Sequence, residues 1–103
     1  MKLSFKDKKI EKICLDERLM LKEVGEMAKK LKECLLYLQT ASCIDELFHS
    51  ENIKNRTKIH ALDHDRKGQY SMWLSGNHRL IFEKFEENSE TIIRIIELKK
   101  DYH

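Results

Sequence analysis

Apolar positions change their spacing halfway along the chain. In the first half, Met20, Val24, Met27, Ala28, Leu31, Leu35 and Leu38 recur every three or four residues, while Lys22, Glu26, Lys29, Lys30 and Glu33 fall on the opposite side. That period is the stripe of an amphipathic helix, and a stripe of Met and Leu belongs in a core. Gly25 sits inside it and lowers helix propensity by about 1 kcal/mol relative to Ala, too little to interrupt so long a pattern. The spacing therefore predicts one helix over residues 20–38. Ser4, with Asp7 three residues on, resembles a capping box and predicts an earlier helix, continued by Ile10, Ile13 and Cys14. Ser42 and Asp45 repeat the signal for a short helix through Phe48. Residues 49–55 are polar and read as a loop.

In the second half the period falls to two. Tyr70, Met72 and Leu74 alternate with Ser71, Trp73 and Ser75; then His78, Leu80 and Phe82 alternate with Arg79, Ile81 and Glu83. Gly76-Asn77 between them is a two-residue turn of the kind that closes a hairpin. Residues 86–90 form a second turn, and the Ile-rich residues 91–98 are the strongest strand. Residues 56–62 predict one more. Helices followed by hairpin-linked strands give an α+β domain, with the helices on one face of a twisted antiparallel sheet. No repeat or linker interrupts residues 1–103, so one domain is expected.

Composition supports a folded domain. Of 103 residues, 37% are charged and 41% hydrophobic, a balance that excludes a disordered chain. No apolar run approaches the ~20 residues of a membrane span, and the opening Met1-Lys2-Leu3-Ser4-Phe5 lacks the layout of a signal peptide. A cytoplasmic protein without membrane contact is expected. Cys14, Cys34 and Cys43 are odd in number and lack metal-ligand spacing, which favours free thiols on packed faces. A net charge of +2 does not by itself declare a nucleic-acid binder. The charge is uneven, however. Lys54, Arg56, Lys58, Arg66 and Lys67 outnumber Asp63 and Asp65 in an irregular stretch, which points to an anionic ligand.

A sheet with helices on one face leaves its other face open for a site. His60, Arg79 and the closing Asp101-Tyr102-His103 come from three strands or their ends, and Trp73 neighbours Arg79 across the hairpin. Chain ends usually fray, so a carboxylate, a phenol and an imidazole in succession are a notable ending. This set suits RNA cleavage. RNA carries its own nucleophile, the 2′-OH beside each phosphate. The enzyme removes that proton, protonates the leaving 5′-oxygen and stabilises charge on the phosphoryl oxygens. Imidazole titrates near neutrality and serves both proton steps, each worth roughly 10²–10⁴-fold. Arg offers a fixed fork to phosphate, and Tyr stacks on a base or donates a hydrogen bond. No metal or other cofactor is needed.

His60-Ala61-Leu62, then Asp65-Arg66-Lys67-Gly68-Gln69-Tyr70-Ser71, then Asn77-His78-Arg79-Leu80-Ile81-Phe82, and finally Asp101-Tyr102-His103 resemble the HigB toxins of bacterial type II toxin–antitoxin modules, within the RelE-like superfamily. Residues 4–9 and 41–47 resemble the opening and middle of the same family, so the likeness runs the length of the chain. It implies a RelE-like α+β toxin that cleaves messenger RNA on the ribosome. It also implies a helix-turn-helix antitoxin of HigA type, with operator DNA bound only through the toxin–antitoxin complex. Carried over residue by residue, His60, Arg79, Asp101, Tyr102 and His103 are catalytic. His64, Arg66, Lys67 and Trp73 are the candidates for holding RNA.

The chain departs from that pattern in places. Asp63-His64 stands where relatives commonly have Lys-Gly, so His64 or Lys67 would have to replace a Lys near the scissile phosphate. His78 precedes Arg79 where many relatives have Trp, and Lys99-Lys100 precede the tail where relatives are often apolar. Two rival functions remain open: a gyrase-poisoning toxin of ParE type, and a catalytically degenerate protein that only binds an antitoxin.

Overall fold

A computed structural model of the chain describes the backbone of residues 1–100 and the side chains of residues 1–98. The first element is a strand where the capping signal predicts a helix. Strand β1 spans Lys2–Phe5, and Leu3 and Phe5 lie opposite Ile93 and Ile95 in parallel register. Helix α1 (Lys8–Leu15) begins later, because Asp7 is its N-cap and accepts a hydrogen bond from the Ile10 amide at 2.9 Å. Asp16 does the same for α2 (Glu17–Val24), accepting from the Arg18 and Leu19 amides.

The long stripe divides into two helices. Gly25 takes φ 55°, ψ −123°, a backbone state costly for any residue with a Cβ. A 3₁₀ turn over Gly25–Met27 follows, and α3 runs from Ala28–Thr40. The apolar period survives the break, so Met20 on α2 and Ala28, Leu31, Cys34, Leu35 and Leu38 on α3 are buried in one core. A propensity deficit of 1 kcal/mol misjudges Gly25: its role is to admit a positive φ. Residues 49–55 also differ from expectation. Helix α4 (Ile44–His49) is followed by α5 (Glu51–Thr57), where Ser50 Oγ accepts from the Ile53 amide. The segment is polar because α5 lies largely in solvent, with Thr57 its only buried residue. Helix to Thr57 leaves room for only a two-residue strand β2, His60–Ala61, in place of one over residues 56–62.

Strands β3 (Gln69–Ser75), β4 (His78–Glu87) and β5 (Glu90–Lys100) are the expected hairpins. Gly76 has positive φ in the first turn, and Asn88 and Ser89 do so in the second. The sheet order is β1-β5-β4-β3-β2, antiparallel except for the β1–β5 pair. Its helix-covered face supplies Met72, Leu80, Phe82, Ile93 and Ile95, all fully buried. Tyr70 stacks on Phe82 at 5.3 Å, and Phe48 meets Tyr70 edge-on. Burial pushes the Cys14 thiol up to about 11 and the Cys34 thiol up to about 12, so both stay protonated. Cys43 is exposed at the start of α4. Among the described residues no helix is long and apolar enough to cross a membrane.

Candidate functional site

Strand register sorts the open face into rows, because residues directly opposite in neighbouring strands share a face. His60, Ser71, Ile81 and Glu97 form one row across β2, β3, β4 and β5. Trp73 and Arg79 form the next row toward the Gly76 turn. On the other side, Gln69, Glu83, Arg94 and Ser4 form a third. In that third row Arg94 is already engaged, donating to Glu83 at 3.1 Å and lying over the Phe85 ring at 4.7 Å, while the Ser4 hydroxyl has no partner among the described residues. Chemistry therefore concentrates in the first two rows.

His60 is exposed, and its orientation is set by the turn before it. Helix α5 ends on Lys58 in the left-handed region, at φ 48°, ψ 38°. The Lys58 carbonyl oxygen lies 2.9 Å from His60 Nδ1. A carbonyl only accepts, so Nδ1 carries the hydrogen, and in the neutral ring Nε2 holds the lone pair. No second partner of this ring occurs among the described residues, which leaves Nε2 able to take a proton. Arg79 lies two strands and one row away, about 12 Å between backbones at ~4.8 Å per strand and ~3.4 Å per residue. Arg79 is half-buried and engaged with a neighbour.

Arg66 reaches across the face from the 3₁₀ turn His64–Arg66. Its Nε donates to Gln69 Oε1 at 2.8 Å and its Nη2 to Glu97 Oε1 at 2.6 Å. Its guanidinium therefore braces β5 against the loop after β2. Ser71, between His60 and Ile81, is fully buried, and its hydroxyl has no hydrogen-bond partner. Trp73 donates from Nε1 to the Gly76 carbonyl at 2.9 Å, which fixes the indole at the hairpin end.

The structure thus brings His60, Arg66, Trp73 and Arg79 to one face and its margin. His64 and Lys67 are exposed on the loop between β2 and β3, and neither approaches His60 or Arg79 through any described hydrogen bond or ion pair. Asp101, Tyr102 and His103 lie outside the described residues. Glu97 and Ser71 belong to the site and carried no sequence signal as site residues. For Glu97 the reason is a β-bulge: Ile81 pairs with Glu97 but Phe82 pairs with Ile95, so Ile96 is an extra residue. The bulge moves the open-face positions from Ile92 and Arg94 to Glu97, which simple alternation does not give. A run in which Ile95 and Ile96 are adjacent and both apolar was the one available hint.

Two solved structures share this architecture along nearly the whole chain. A YoeB/ParE toxin from Agrobacterium tumefaciens superposes with a TM-score of 0.66 at 16% identity, covering 99% of this chain and 100% of that one. A YoeB dimer from Staphylococcus aureus superposes with a TM-score of 0.61 at 20% identity, covering 99% and 98%. No protein-family model and no curated protein sequence matches the chain. The fold is therefore that of the RelE-like toxins, with helices on one face of a twisted five-stranded sheet. At these identities the likeness speaks for the fold alone.

Proposed function

We propose that the chain is the toxin of a bacterial type II toxin–antitoxin pair, a HigB-type endonuclease that cleaves messenger RNA on the ribosome. The observation that carries this reading is His60. Its Nδ1 is committed to the Lys58 carbonyl, and its register position lies on the open sheet face that also bears Arg79. In the proposed reaction an imidazole takes the 2′-hydroxyl proton, and the 2′-oxygen attacks the adjacent phosphorus. The bond to the 5′-oxygen breaks, and a protonated acid supplies that oxygen with its proton. Arg79 is placed to neutralise charge on the phosphoryl oxygens. Asp101, Tyr102 and His103 complete the set from the sequence resemblance, with an imidazole there as the second proton carrier. Toxins of this fold name the solved neighbours, which supports the toxin reading.

The neutralising partner in this reading is a HigA-type helix-turn-helix antitoxin that docks on the helical side and blocks entry to the ribosome. Leu15 and Leu36 are exposed there, beside Leu3, Phe5 and Leu35 along the free edge of β1. The deciding experiment incubates the purified chain with translating ribosomes and messenger RNA. Wild type should cut ribosome-bound message and spare naked RNA at physiological salt. His60→Asn, and a chain lacking Tyr102 and His103, should cut at least roughly 100-fold more slowly with unchanged circular dichroism. A wild-type chain that leaves the message intact but traps gyrase on DNA overturns the nuclease reading in favour of a ParE-type toxin. Inertness in both assays, with antitoxin binding retained, leaves a binding protein only.

A further inference from the structure

A cluster of cations gathers at the outer edge of β3, beyond the residues assigned so far. Lys30 from α3 and Lys58 from the turn before β2 bring their ammonium groups to 5.6 and 5.8 Å from the centre of the Trp73 ring. Two separate elements thus converge on one indole of β3, and that indole is itself held by its bond to the Gly76 carbonyl. Lys30 also donates to the Arg56 carbonyl oxygen, which anchors its long side chain. Among the described residues neither ammonium has a carboxylate within ion-pair distance. Glu33, whose carboxyl the Lys30 charge helps slightly to hold down, is bound by both prongs of the Arg56 guanidinium. Two like charges drawn to one ring repel each other, and an anion placed between or beside them relieves that repulsion.

The location selects the anion. Strand β2 pairs only with Ser71 and Tyr70, so β3 has no ladder partner at Trp73 on that edge. Lys58 lies two residues before His60, and its carbonyl holds that ring. A strand leaving the His60–Arg79 surface over this edge meets Lys58, the indole and Lys30 in turn. Spaced ammonium groups fixed beside an aromatic ring suit the repeating phosphates and bases of a single strand. An acidic peptide would use the charges and not the ring.

We infer that Lys30 and Lys58, gathered on Trp73, form a second RNA contact that holds the backbone phosphates flanking the cleaved bond. The inference rests on the nuclease reading for the identity of the strand, and its test is independent of cleavage. Trp73 is the single tryptophan of the chain, so its fluorescence reports this edge directly. The full chain is titrated at low ionic strength with a 2′-O-methyl oligouridine, which lacks the nucleophile and stays intact. Emission should change on binding. In the Lys30→Gln, Lys58→Gln double variant the affinity should fall about tenfold. The slope of log K against log salt should shrink by about 1.4, the value for two phosphate contacts on a single strand. Each single variant should give about half that loss, which keeps the test valid if the double variant fails to fold. Unchanged affinity in folded variants overturns the subsite. So does tighter binding of a polyglutamate peptide of equal charge, which would make the edge a protein-docking surface. Binding at Trp73 by a chain that cuts no message on ribosomes would defeat the nuclease reading and leave the RNA contact standing.

Discussion

The two faces of the sheet are made by the same strands from alternate residues, yet they do different work. On the helix-covered face Met72, Leu80, Phe82, Ile93 and Ile95 have no solvent exposure. One residue along each strand, the open face carries His60, Trp73, Arg79, Arg94 and Glu97, with Ile81 and Ile92 as its apolar floor. The covered face gains stability from area removed from water, and any apolar side chain of the right volume serves. The open face buries Ile81 and Ile92 but keeps its charged side chains partly in solvent. Its side chains are fixed individually, His60 by a carbonyl, Arg66 by Glu97 and Gln69, Trp73 by the turn. Stability and chemistry are thus separable by a shift of one residue.

The strongest way to break that separation is Phe82→Ala. It empties a fully buried site stacked against Tyr70, and should cost about 3–5 kcal/mol, read as a fall in the denaturant midpoint. A loss below ~1 kcal/mol would mean that the covered face is not the main source of stability. His60→Asn is the matching change on the open face. Stability should stay within ~0.5 kcal/mol, since the ring is exposed, while cleavage of ribosome-bound message should fall roughly 10²–10⁴-fold. A stability loss as large as that of Phe82→Ala would erase the distinction between the faces.

Leu36→Glu probes the outer surface of the helical layer. The side chain is exposed, so folding should shift by no more than ~0.5 kcal/mol, while antitoxin affinity should drop by at least ~1 kcal/mol in calorimetry. Ser71→Ala sharpens the comparison from inside the open face. The buried hydroxyl has no partner, so its removal should be neutral or stabilising by up to ~1 kcal/mol in thermal unfolding. If cleavage also falls, the hydroxyl takes part in the site.

The smallest effect concerns pH and lies away from both faces. The Arg56 guanidinium, with the Tyr37 hydroxyl, holds Glu33 down at about 2 from its ordinary value of 4.5. A carboxyl lowered in the folded state contributes stability above its unfolded value and loses it as pH falls. The contribution is therefore present above about pH 4.5 and disappears on approach to about pH 2. Because Arg56 is half-exposed, solvent screening keeps that contribution small. Acid unfolding of wild type and Arg56→Gln should diverge at pH 6 and converge near pH 2; parallel curves would count against the pair.

Legibility in the sequence followed the range of the forces. The hairpins of β3, β4 and β5 were readable because Gly76-Asn77 and the period of two are local signals. The pairing of Trp73 with Arg79 followed directly from them. The α+β class and the helical first half were readable for the same reason. Strand β1 was not, since four residues, Lys2–Phe5, pair only with β5 at the far end of the chain. Helix α5 was missed because it buries so little that it has almost no apolar period. The break at Gly25 leaves the stripe in phase, so only the backbone reveals it.

By itself, then, the sequence determined which residues prefer a helix, a strand or a turn, and which side chains were candidates for a site. Local backbone sterics and alternation carry that information. Tertiary structure alone decided which of those side chains meet. The parallel partner of β1, the bulge that turns Glu97 toward Arg66, the carbonyl that sets the His60 tautomer and the meeting of Lys30 and Lys58 on Trp73 all join distant or irregular segments. Their geometry depends on how layers pack, and no local pattern encodes it.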